Sequence, residues 1–298
     1  MVPATVRLEG KPVAEAIDAA TRSAIAARGS RRPPALVSLH RGVDSPFRFY
    51  LRRQAKAAQA VGILFHEESL APGQGPEELT QRLVALDRNP EVDAVLLEHP
   101  LPPPFDFHRA VSALRPEKDV DGVGPMNLGL LVAQHPLHVP AVARAAVRIA
   151  RHYRVPIEGE RVVVLGRSET VGLPLALLLA RREPGMNATV TLAHSKTPDL
   201  VRTLREARTI FSCVGRAGLL TRANVPEGAH VIDVGVSSVP DPARPGKSKS
   251  VGDADSASLE GWAGSLTPVP GGVGPVTVAE LMASVVRAWQ LGHGKGPG

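Results

Sequence analysis

The chain has 298 residues, of which 43% are hydrophobic and 21% are charged, proportions typical of a folded globular protein and not of a disordered one. Its net charge of +6 comes mainly from arginines spread along the sequence, without the compact basic run of a nucleic-acid-binding arm. We therefore expect no nucleic-acid partner, because small anionic ligands account for the surplus charge equally well.

The sequence contains one cysteine, Cys213, which excludes an internal disulfide and a metal site built from several cysteines. It lies in an apolar run, TIFSCVG, that favours a small buried residue over a nucleophile. No apolar stretch is long enough to span a membrane, and the N-terminus shows no signal-peptide pattern. We expect a soluble, cytoplasmic protein with no membrane partner and no metal site.

The first part of the sequence alternates segments of helical period with short runs of branched apolar residues. The predicted elements are a helix at Pro12–Ala27, a strand at Ala35–His40, a basic helix at Pro46–Val61, a strand at Ile63–Glu67, a helix at Pro76–Leu86 and a strand at Ala94–Glu98. This alternation predicts right-handed crossovers and a parallel sheet with helices on both faces.

A second alternation follows a predicted linking helix. The predicted elements are the linking helix Val139–Tyr153, strands at Arg161–Leu165, Thr189–Ala193, Thr209–Ser212 and His230–Val234, and helices at Val171–Arg182, Pro198–Arg205 and Val276–Gln290. Residues Pro240–Ser250 are expected to form a surface loop, and the tail from His293 is expected to fray. The fold class is therefore two α/β domains. The first would comprise residues 1–138, joined by the C-terminal helix 276–292, and the second residues 139–275.

The turn after strand Arg161–Leu165 has the composition of a dinucleotide site. The strand leads through GRSETVG (Gly166–Gly172) into a helix, which is the arrangement that binds a pyrophosphate at a helix N-terminus. The glycine spacing is not G-x-G-x-x-G, and an ordinary glycine turn is an alternative of about equal weight for this segment alone.

The next strand, Thr189–Ala193, favours NADP over NAD. It ends in His194–Ser195–Lys196–Thr197, without the carboxylate that an NAD site usually carries there. Ser195, Lys196 and Arg167 would instead bind a 2′-phosphate through charge-assisted hydrogen bonds. The alternative is an ordinary polar turn with a solvated lysine.

Four segments together resemble the methylenetetrahydrofolate dehydrogenase/cyclohydrolase family. They are PEKDVDG (Pro116–Gly122), GRSETVGLP (Gly166–Pro174), VIDVGV (Val231–Val236) and TPVPGGVGPVT (Thr267–Thr277). Tyr50 and HPLPPP (His99–Pro104) match as well, and the similarity runs in order over nearly the whole chain.

The resemblance implies a Rossmann-like C-terminal domain, a folate cleft between the domains and a homodimer. It implies oxidation of methylene-tetrahydrofolate to methenyl-tetrahydrofolate with NADP, commonly followed by hydrolysis to formyl-tetrahydrofolate. The implied catalytic positions are Tyr50, Gln54, Glu98 and Asp121, with Asp121 holding the pterin. The implied substrate-binding residues are Tyr50, Gln54, Leu97, Glu98, His99, Asp121, Pro270, Gly271, Gly272, Val273 and Gly274. The implied NADP contacts are Gly166, Arg167, Ser168, Ser195, Val236 and Thr277. Two alternatives stay open, since Asp121 alone could cap a helix and PGGVGP alone could form a rigid turn.

The sequence departs from the family at its catalytic signature, Tyr-x-x-x-Lys. Gln54 follows Tyr50 at the lysine position, on the same helix face, and Glu98 stands where the family has a glutamine. An amide has no titratable proton, so we expect the dehydrogenase to persist and the cyclohydrolase to be lost or weak. Two alternatives are a bifunctional enzyme that uses Glu98 as base, and a specialised paralogue that acts on a non-folate imine or binds folate without turnover.

Overall fold

A computed structural model of the chain describes residues 4–27, 29, 31–42, 45–244 and 246–293. Most of the tail predicted to fray, residues 294–298, lies outside this part. The helices of the described residues are α1 (Gly10–Ala26), α2 (Ser45–Val61), α3 (Pro76–Arg88), α4 (Phe107–Val111), α5 (Pro125–Val132), α6 (Ala141–His152), α7 (Gly172–Leu179), α8 (Leu200–Arg205), α9 (Ser256–Leu259) and α10 (Val273–Gly292). The strands are β1 (Val6–Arg7), β2 (Ala35–His40), β3 (Leu64–Ser69), β4 (Ala94–Leu97), β5 (Arg161–Leu165), β6 (Thr189–Ala193), β7 (Thr209–Ser212), β8 (His230–Asp233), β9 (Ser237–Pro240), β10 (Ser248–Val251) and β11 (Ser265–Leu266).

The chain separates into two compact α/β units, which confirms the predicted fold class. One unit, here the three-stranded unit, comprises Glu15–Ala141 and the chain from Val278 on. The other, the six-stranded unit, comprises the chain up to Ala14 together with Val142–Thr277. None of the described helices is long and apolar enough to cross a lipid bilayer.

The three-stranded unit is built on a parallel sheet in the order β3-β2-β4. Successive residues of a strand point to opposite faces, and β2 shows this, because Leu36 and Val37 belong to different hydrophobic clusters. Leu36 packs with residues of α1, α2 and α10, whereas Val37 packs with residues of α3 and α4. Every residue of β2 is buried, as is usual for a central parallel strand with helices on both faces.

The six-stranded unit contains a fully parallel sheet in the order β1-β11-β8-β7-β5-β6. Chain order reverses beside β5, because β6 lies on one side of it and β7 on the other. Ligands of open α/β sheets bind at the carboxyl ends of the strands at such a switch point. A ligand of this unit is therefore expected at the loops that follow β5, β6 and β7.

Two predictions about chain organisation are wrong, the second of them in part. The N-terminal residues were expected in the first domain, but β1 pairs in parallel with β11, so this segment belongs to the six-stranded unit. The segment Pro240–Ser250 was expected to be a surface loop, but its two ends lie in strands, because β10 pairs antiparallel with β9. Residues 241–244 and 246–247, between these strands, lie outside helices and strands as expected. Backbone pairing, to which polar residues contribute as well as apolar ones, decides both cases.

Candidate active site

A buried polar cluster lies where β2, β4 and α2 meet within the three-stranded unit. Glu98 directly follows β4, and its N–H continues the ladder by donating to the Leu39 carbonyl at 2.9 Å. Its Oε1 accepts hydrogen bonds from Ser38 Oγ at 2.9 Å and from Gln54 Nε2 at 2.8 Å. Ser38 and Gln54 have no exposed surface, and Glu98 is 6% exposed. The predicted pair of Gln54 and Glu98 is thus in direct contact.

Gln54 lies on the buried face of α2 in place of the expected lysine. The neighbouring cations Arg53 and Lys56 lie on the exposed surface of the same helix. Since Gln54 Nε2 donates to the carboxylate, its Oε1 points elsewhere, and this buried oxygen accepts no hydrogen bond from the described residues. The position therefore carries an electron-rich amide oxygen where the family resemblance implies an amine.

Burial raises the pKa of the Glu98 carboxyl above its usual range. The two hydrogen bonds from Gln54 and Ser38 oppose this shift because they stabilise the ionised form, while the Asp121 carboxylate adds to it and His99 reduces it. Glu98 is therefore a carboxyl group whose proton affinity is set by its surroundings, which is typical of catalytic acids and bases.

His99 and Asp121 lie beside this cluster. His99 Nε2 is 3.8 Å from Asp121 Oδ2, and interaction with that carboxylate raises the pKa of the His99 imidazole, with Glu98 contributing in the same direction. Asp121 Oδ1 accepts a hydrogen bond of 3.3 Å from the N–H of Ala141, the first residue of α6. The helix-capping alternative for Asp121 is thus present in the structure, and Oδ2 is the oxygen directed at His99.

Tyr50 interacts with the same group of side chains. Burial raises the pKa of its phenol, and the Asp121 and Glu98 carboxylates raise it further, so the hydroxyl is protonated at neutral pH. Leu97 differs from the other predicted substrate contacts, because its side chain is 3% exposed and packs in the hydrophobic core with Val37 and Leu39. The Leu97 side chain therefore has little surface available to a ligand, and its contact with substrate stays a prediction.

The loop after β5 has the close backbone approach that a phosphate site needs. Gly166 has a φ of +111°, and a Cβ there would lie 2.7 Å from the carbonyl oxygen of Cys213, which follows β7. A Cβ on Gly172, the first residue of α7, would lie 2.1 Å from the Gly166 oxygen. Both positions therefore require glycine, and the loop passes directly beside the N-terminus of α7.

Polar side chains surround this loop at the carboxyl ends of β5 and β6. Arg167, Ser168, Ser195 and Lys196 are all exposed. The turn after β6 is fixed by a hydrogen bond of 2.9 Å from the His194 N–H to Thr197 Oγ1. The backbone at Gly166 and Gly172, here called the glycine cradle, fits the phosphates of a dinucleotide together with these side chains.

Val236 and Thr277, the other predicted cofactor contacts, have different environments. Val236 follows β8 and is 63% exposed, so its side chain is available to a ligand. Thr277 is buried in α10, and its hydroxyl donates to the Val273 carbonyl at 3.1 Å. The Thr277 hydroxyl is thus occupied within its own helix.

The PGGVG segment, Pro270–Gly274, forms the turn that begins α10. Gly271 has a φ of +112°, and its carbonyl accepts a hydrogen bond of 2.8 Å from the N–H of Gly10. Val273 is buried, whereas nothing lies within 4 Å of a Cβ on Gly274. The rigid-turn alternative is therefore correct as a description of the backbone, and it is compatible with a ligand contact at Gly274.

Sequence reasoning did not identify Ser38 or the carboxylates Asp233 and Asp253. Ser38 was detectable as the one small hydroxyl residue within the apolar run of β2. Asp233 ends β8 inside VIDVGV, and it accepts hydrogen bonds from the N–H groups of Gly235, Asp253 and Ala254. Cys213 is partly buried, and burial raises the pKa of its thiol, with the charges of Asp253 and Asp233 adding to the shift, so it is not a reactive thiolate.

The fold and these sites define a two-domain α/β protein with a dinucleotide-binding unit. Residues 140–293 match the sequence model described as tetrahydrofolate dehydrogenase/cyclohydrolase, NAD(P)-binding domain. Residues 8–121 match the model of the catalytic domain of the same family. The chain therefore belongs to the tetrahydrofolate dehydrogenase/cyclohydrolase family, as the sequence motifs predicted.

Relatives and solved structures agree with this assignment. The chain is 39% identical to the bifunctional protein FolD of Desulfovibrio desulfuricans over 95% of this chain and 98% of that protein. It is also 39% identical to the bifunctional protein FolD of Nocardia farcinica, over 97% of this chain and 99% of that protein. The crystal structure of the Trypanosoma brucei N5,N10-methylenetetrahydrofolate dehydrogenase-cyclohydrolase, complexed with NADP and an inhibitor, has a TM-score of 0.90 and 35% identity, covering 97% of this chain and 98% of that chain.

Proposed function

We propose that the protein oxidises methylene-tetrahydrofolate to methenyl-tetrahydrofolate with NADP and has lost the hydrolysis of the methenyl product. The family and the names of the relatives support the substrate class and the two half-reactions. The observation that carries the distinction between them is the buried contact of Gln54 with Glu98, which replaces the family's lysine and glutamine.

The oxidation requires stabilisation of positive charge and no obligatory proton transfer. The methylene carbon loses a hydride, which is a proton with two electrons, and the remaining cation is shared between two nitrogens of the folate. A carboxylate and an amide oxygen, fixed in a buried site, stabilise such a cation electrostatically. Glu98 supplies the carboxylate, and Gln54 supplies the amide oxygen, its Oε1, which accepts no hydrogen bond within the described part of the chain.

Hydrolysis of the methenyl cation makes a different demand. Water must be deprotonated as it attacks, and a proton must then reach the departing nitrogen, which requires a group that titrates near neutral pH. Gln54 cannot exchange a proton in this range. The same negative surroundings that favour forming the cation also make it a poorer electrophile for water. We therefore propose that this half-reaction is absent.

The cofactor is proposed to be NADP. When bound, it accepts the hydride. The glycine cradle at Gly166 and Gly172 would hold its pyrophosphate, and Arg167, Ser195 and Lys196 would bind its 2′-phosphate, because these exposed groups donate hydrogen bonds and two of them are cationic.

The test follows the two products separately in one reaction. Purified protein, NADP and methylene-tetrahydrofolate are mixed, and NADPH and methenyl-tetrahydrofolate are measured by their separate absorbances. We expect both to appear in equal amounts, with the methenyl compound then decaying at its rate in buffer. Faster decay in the presence of protein would contradict the loss of hydrolysis. Tight NADP binding without folate turnover would favour a specialised paralogue.

One observation favours a second candidate, a fully bifunctional enzyme. The pKa of Glu98 is raised by burial, which moves this carboxyl toward the range of a general base. If Glu98 activates water, the protein will accelerate methenyl decay, and Glu98→Gln will abolish that acceleration. Glu98→Asp, which keeps the acid but shortens the side chain, is the matched control and should retain part of it.

We also propose that the protein forms a homodimer, as its family resemblance implies. Sedimentation equilibrium over a range of protein concentrations tests this proposal. A mass of twice the chain mass of 31.4 kDa supports it, and a constant monomer mass contradicts it.

A further inference from the structure

Ser38 places a hydroxyl group in a buried strand whose packing requires only apolar side chains. It lies in the middle of β2, whose other residues from Ala35 to Leu39 are apolar, and it has no exposed surface. β2 is the central strand of its sheet, and Ser38 is in register with Leu96 of β4. The hydroxyl donates a hydrogen bond of 2.9 Å to Glu98 Oε1.

We propose that Ser38 is a positioning residue for the oxidation, which holds the Glu98 carboxylate in its ionised form as the counter-ion of the developing folate cation. The inference rests on the proposed function and deepens it. Ser38 acts through Glu98, which is the group proposed to stabilise the developing cation.

The geometry around Glu98 Oε1 supports this role. The oxygen accepts from Ser38 Oγ on the sheet and from Gln54 Nε2 on α2, so donors on two different elements fix one atom. Both groups donate, and donors to a carboxylate favour its charged form. If Gln54 were the only donor, the carboxylate would be free to rotate about that one hydrogen bond. The two hydrogen bonds together define its orientation.

The charges near Glu98 do not supply this stabilisation reliably. Asp121 disfavours the ionised carboxylate, and His99 favours it only when the imidazole is protonated. Tyr50 is neutral at physiological pH, and Arg53 is exposed, acting on the phenol of Tyr50. Ser38 is uncharged at every pH, so its hydrogen bond is a constant contribution to the ionised state of Glu98.

The experiment measures the pH dependence of NADPH formation with Ser38→Ala. The rate should fall at low pH as Glu98 gains a proton, because a neutral carboxyl no longer stabilises the cation. In Ser38→Ala this acid limb should move upward by about one pH unit, a tenfold change in the ionisation constant, since a hydrogen bond to a charged group is lost. Well above the limb, the rate should recover to within about twofold of the wild type.

Ser265→Ala is the matched control. Ser265 is also a buried strand serine, and its hydroxyl contacts a titratable side chain, His230 Nδ1, at 2.8 Å in the six-stranded unit. This variant should leave the acid limb in place. An equal loss of rate at every pH in Ser38→Ala, or an equal shift in Ser265→Ala, would overturn the proposal.

Two further measurements separate this inference from the proposed function. In a Glu98→Gln background, Ser38→Ala should cause no additional shift, because the group through which it acts is gone; a further shift would contradict the proposal. The pKa of Glu98 is then measured without folate, by carbon NMR of protein labelled at glutamate carboxyls. A raised pKa in Ser38→Ala without folate turnover in the wild type would support the Ser38 contact and refute the function. Turnover in the wild type with an unchanged Glu98 pKa would refute the inference alone.

Discussion

Positions 54 and 98 set the charge of the candidate active site. In this chain, they carry an amide and a carboxylate in direct contact, both buried, where the family resemblance implies a lysine and a glutamine. A lysine beside the raised-pKa carboxyl of Glu98 would form an ion pair, and pairing keeps an amine protonated. A lysine beside a glutamine would instead be deprotonated more easily, because burial disfavours its charge.

We therefore expect the double variant Gln54→Lys/Glu98→Gln to gain hydrolysis of methenyl-tetrahydrofolate, with a rate at least about tenfold above the buffer rate. The single variant Gln54→Lys should gain less, because Glu98 would hold its ammonium group. The measurement is the decay of methenyl absorbance at pH 7 to 8 with and without protein. A wild type that already hydrolyses as fast as the double variant would contradict this account.

We expect Ser195, which lies after the end of β6, to contribute to the preference for NADP because no carboxylate stands at its position. Ser195→Asp places a carboxylate beside the 2′-phosphate position, where it repels NADP and accepts from the ribose hydroxyls of NAD. We expect its dissociation constant for NADP to rise about tenfold or more and that for NAD to fall or stay unchanged. Titration calorimetry with both nucleotides measures this. Ser195→Asn, similar in size and uncharged, is the control and should keep the preference for NADP.

The elements differ in how well the sequence predicts them. β2, β5, β6 and β7 have the predicted bounds, because four or more residues of branched apolar composition suffice to define a buried strand. β1 and β11 have two residues each, which is too short for any periodicity, and they pair with each other across almost the whole chain. β9 and β10 are polar hairpin strands, and only their backbone pairing identifies them.

The candidate site shows the same division between local and distant information. The spacing of Tyr50 and Gln54 on one helix face could be predicted, since it depends only on helical geometry. The contact of Ser38 with Glu98 depends on the register of two parallel strands that are separated in sequence by a strand and two helices. The raised pKa of Glu98 depends on its burial, and the Thr277 hydroxyl is occupied because it bonds to a carbonyl of its own helix turn. Neither property could be predicted from residue type.

The start of α1 and the start of α10 meet at a point where only glycine fits. A Cβ on Gly10 would lie 1.9 Å from the carbonyl oxygen of Gly272. Gly10→Ala must therefore displace a turn that also contains the left-handed residue Gly271. We expect it to lower the free energy of unfolding of the six-stranded unit by about 1–3 kcal/mol.

Urea unfolding of a Trp289→Phe background measures this, because Trp262 then reports on the six-stranded unit alone. Gly274→Ala, in the first turn of α10, is the control. Nothing lies within 4 Å of its Cβ, so alanine should raise the free energy of unfolding by about 0.5–1 kcal/mol through helix propensity. Equal effects of the two substitutions would show that the contact with Gly272 is unimportant.

At the scale of the whole molecule, stability depends on a buried acidic pair in the six-stranded unit. Asp253 accepts hydrogen bonds from Ser212 Oγ at 2.7 Å and from the N–H groups of Val214 and Arg216. Asp233 accepts from three further backbone N–H groups, one of which is that of Asp253. The pair thus ties the ends of β7 and β8 to the segment after β10. Because Asp233 is buried, its ionisation makes folding sensitive to pH.

Burial raises the pKa of Asp233 to about 7, with the neighbouring charge of Asp253 acting in the same direction. The unfolded chain loses this proton near pH 4, so between about pH 4 and pH 7 the folded state binds more protons than the unfolded state. The contribution of Asp233 to the free energy of unfolding must therefore fall as pH rises through this window, by at most about 1.4 kcal/mol per pH unit.

Asp233→Asn cannot ionise and should remove this slope. It should also lower stability at every pH, because the NH2 group of asparagine replaces one of the two carboxyl oxygens that accept hydrogen bonds. Asp255→Asn is the control, since asparagine replaces aspartate well at the N-cap of α9, and it should keep the slope. Hydrogen exchange of the β8 amides from pH 4.5 to 7, corrected for the intrinsic exchange rate, gives the opening free energy of this unit. A slope in Asp233→Asn as steep as in the wild type would assign the pH dependence to other groups.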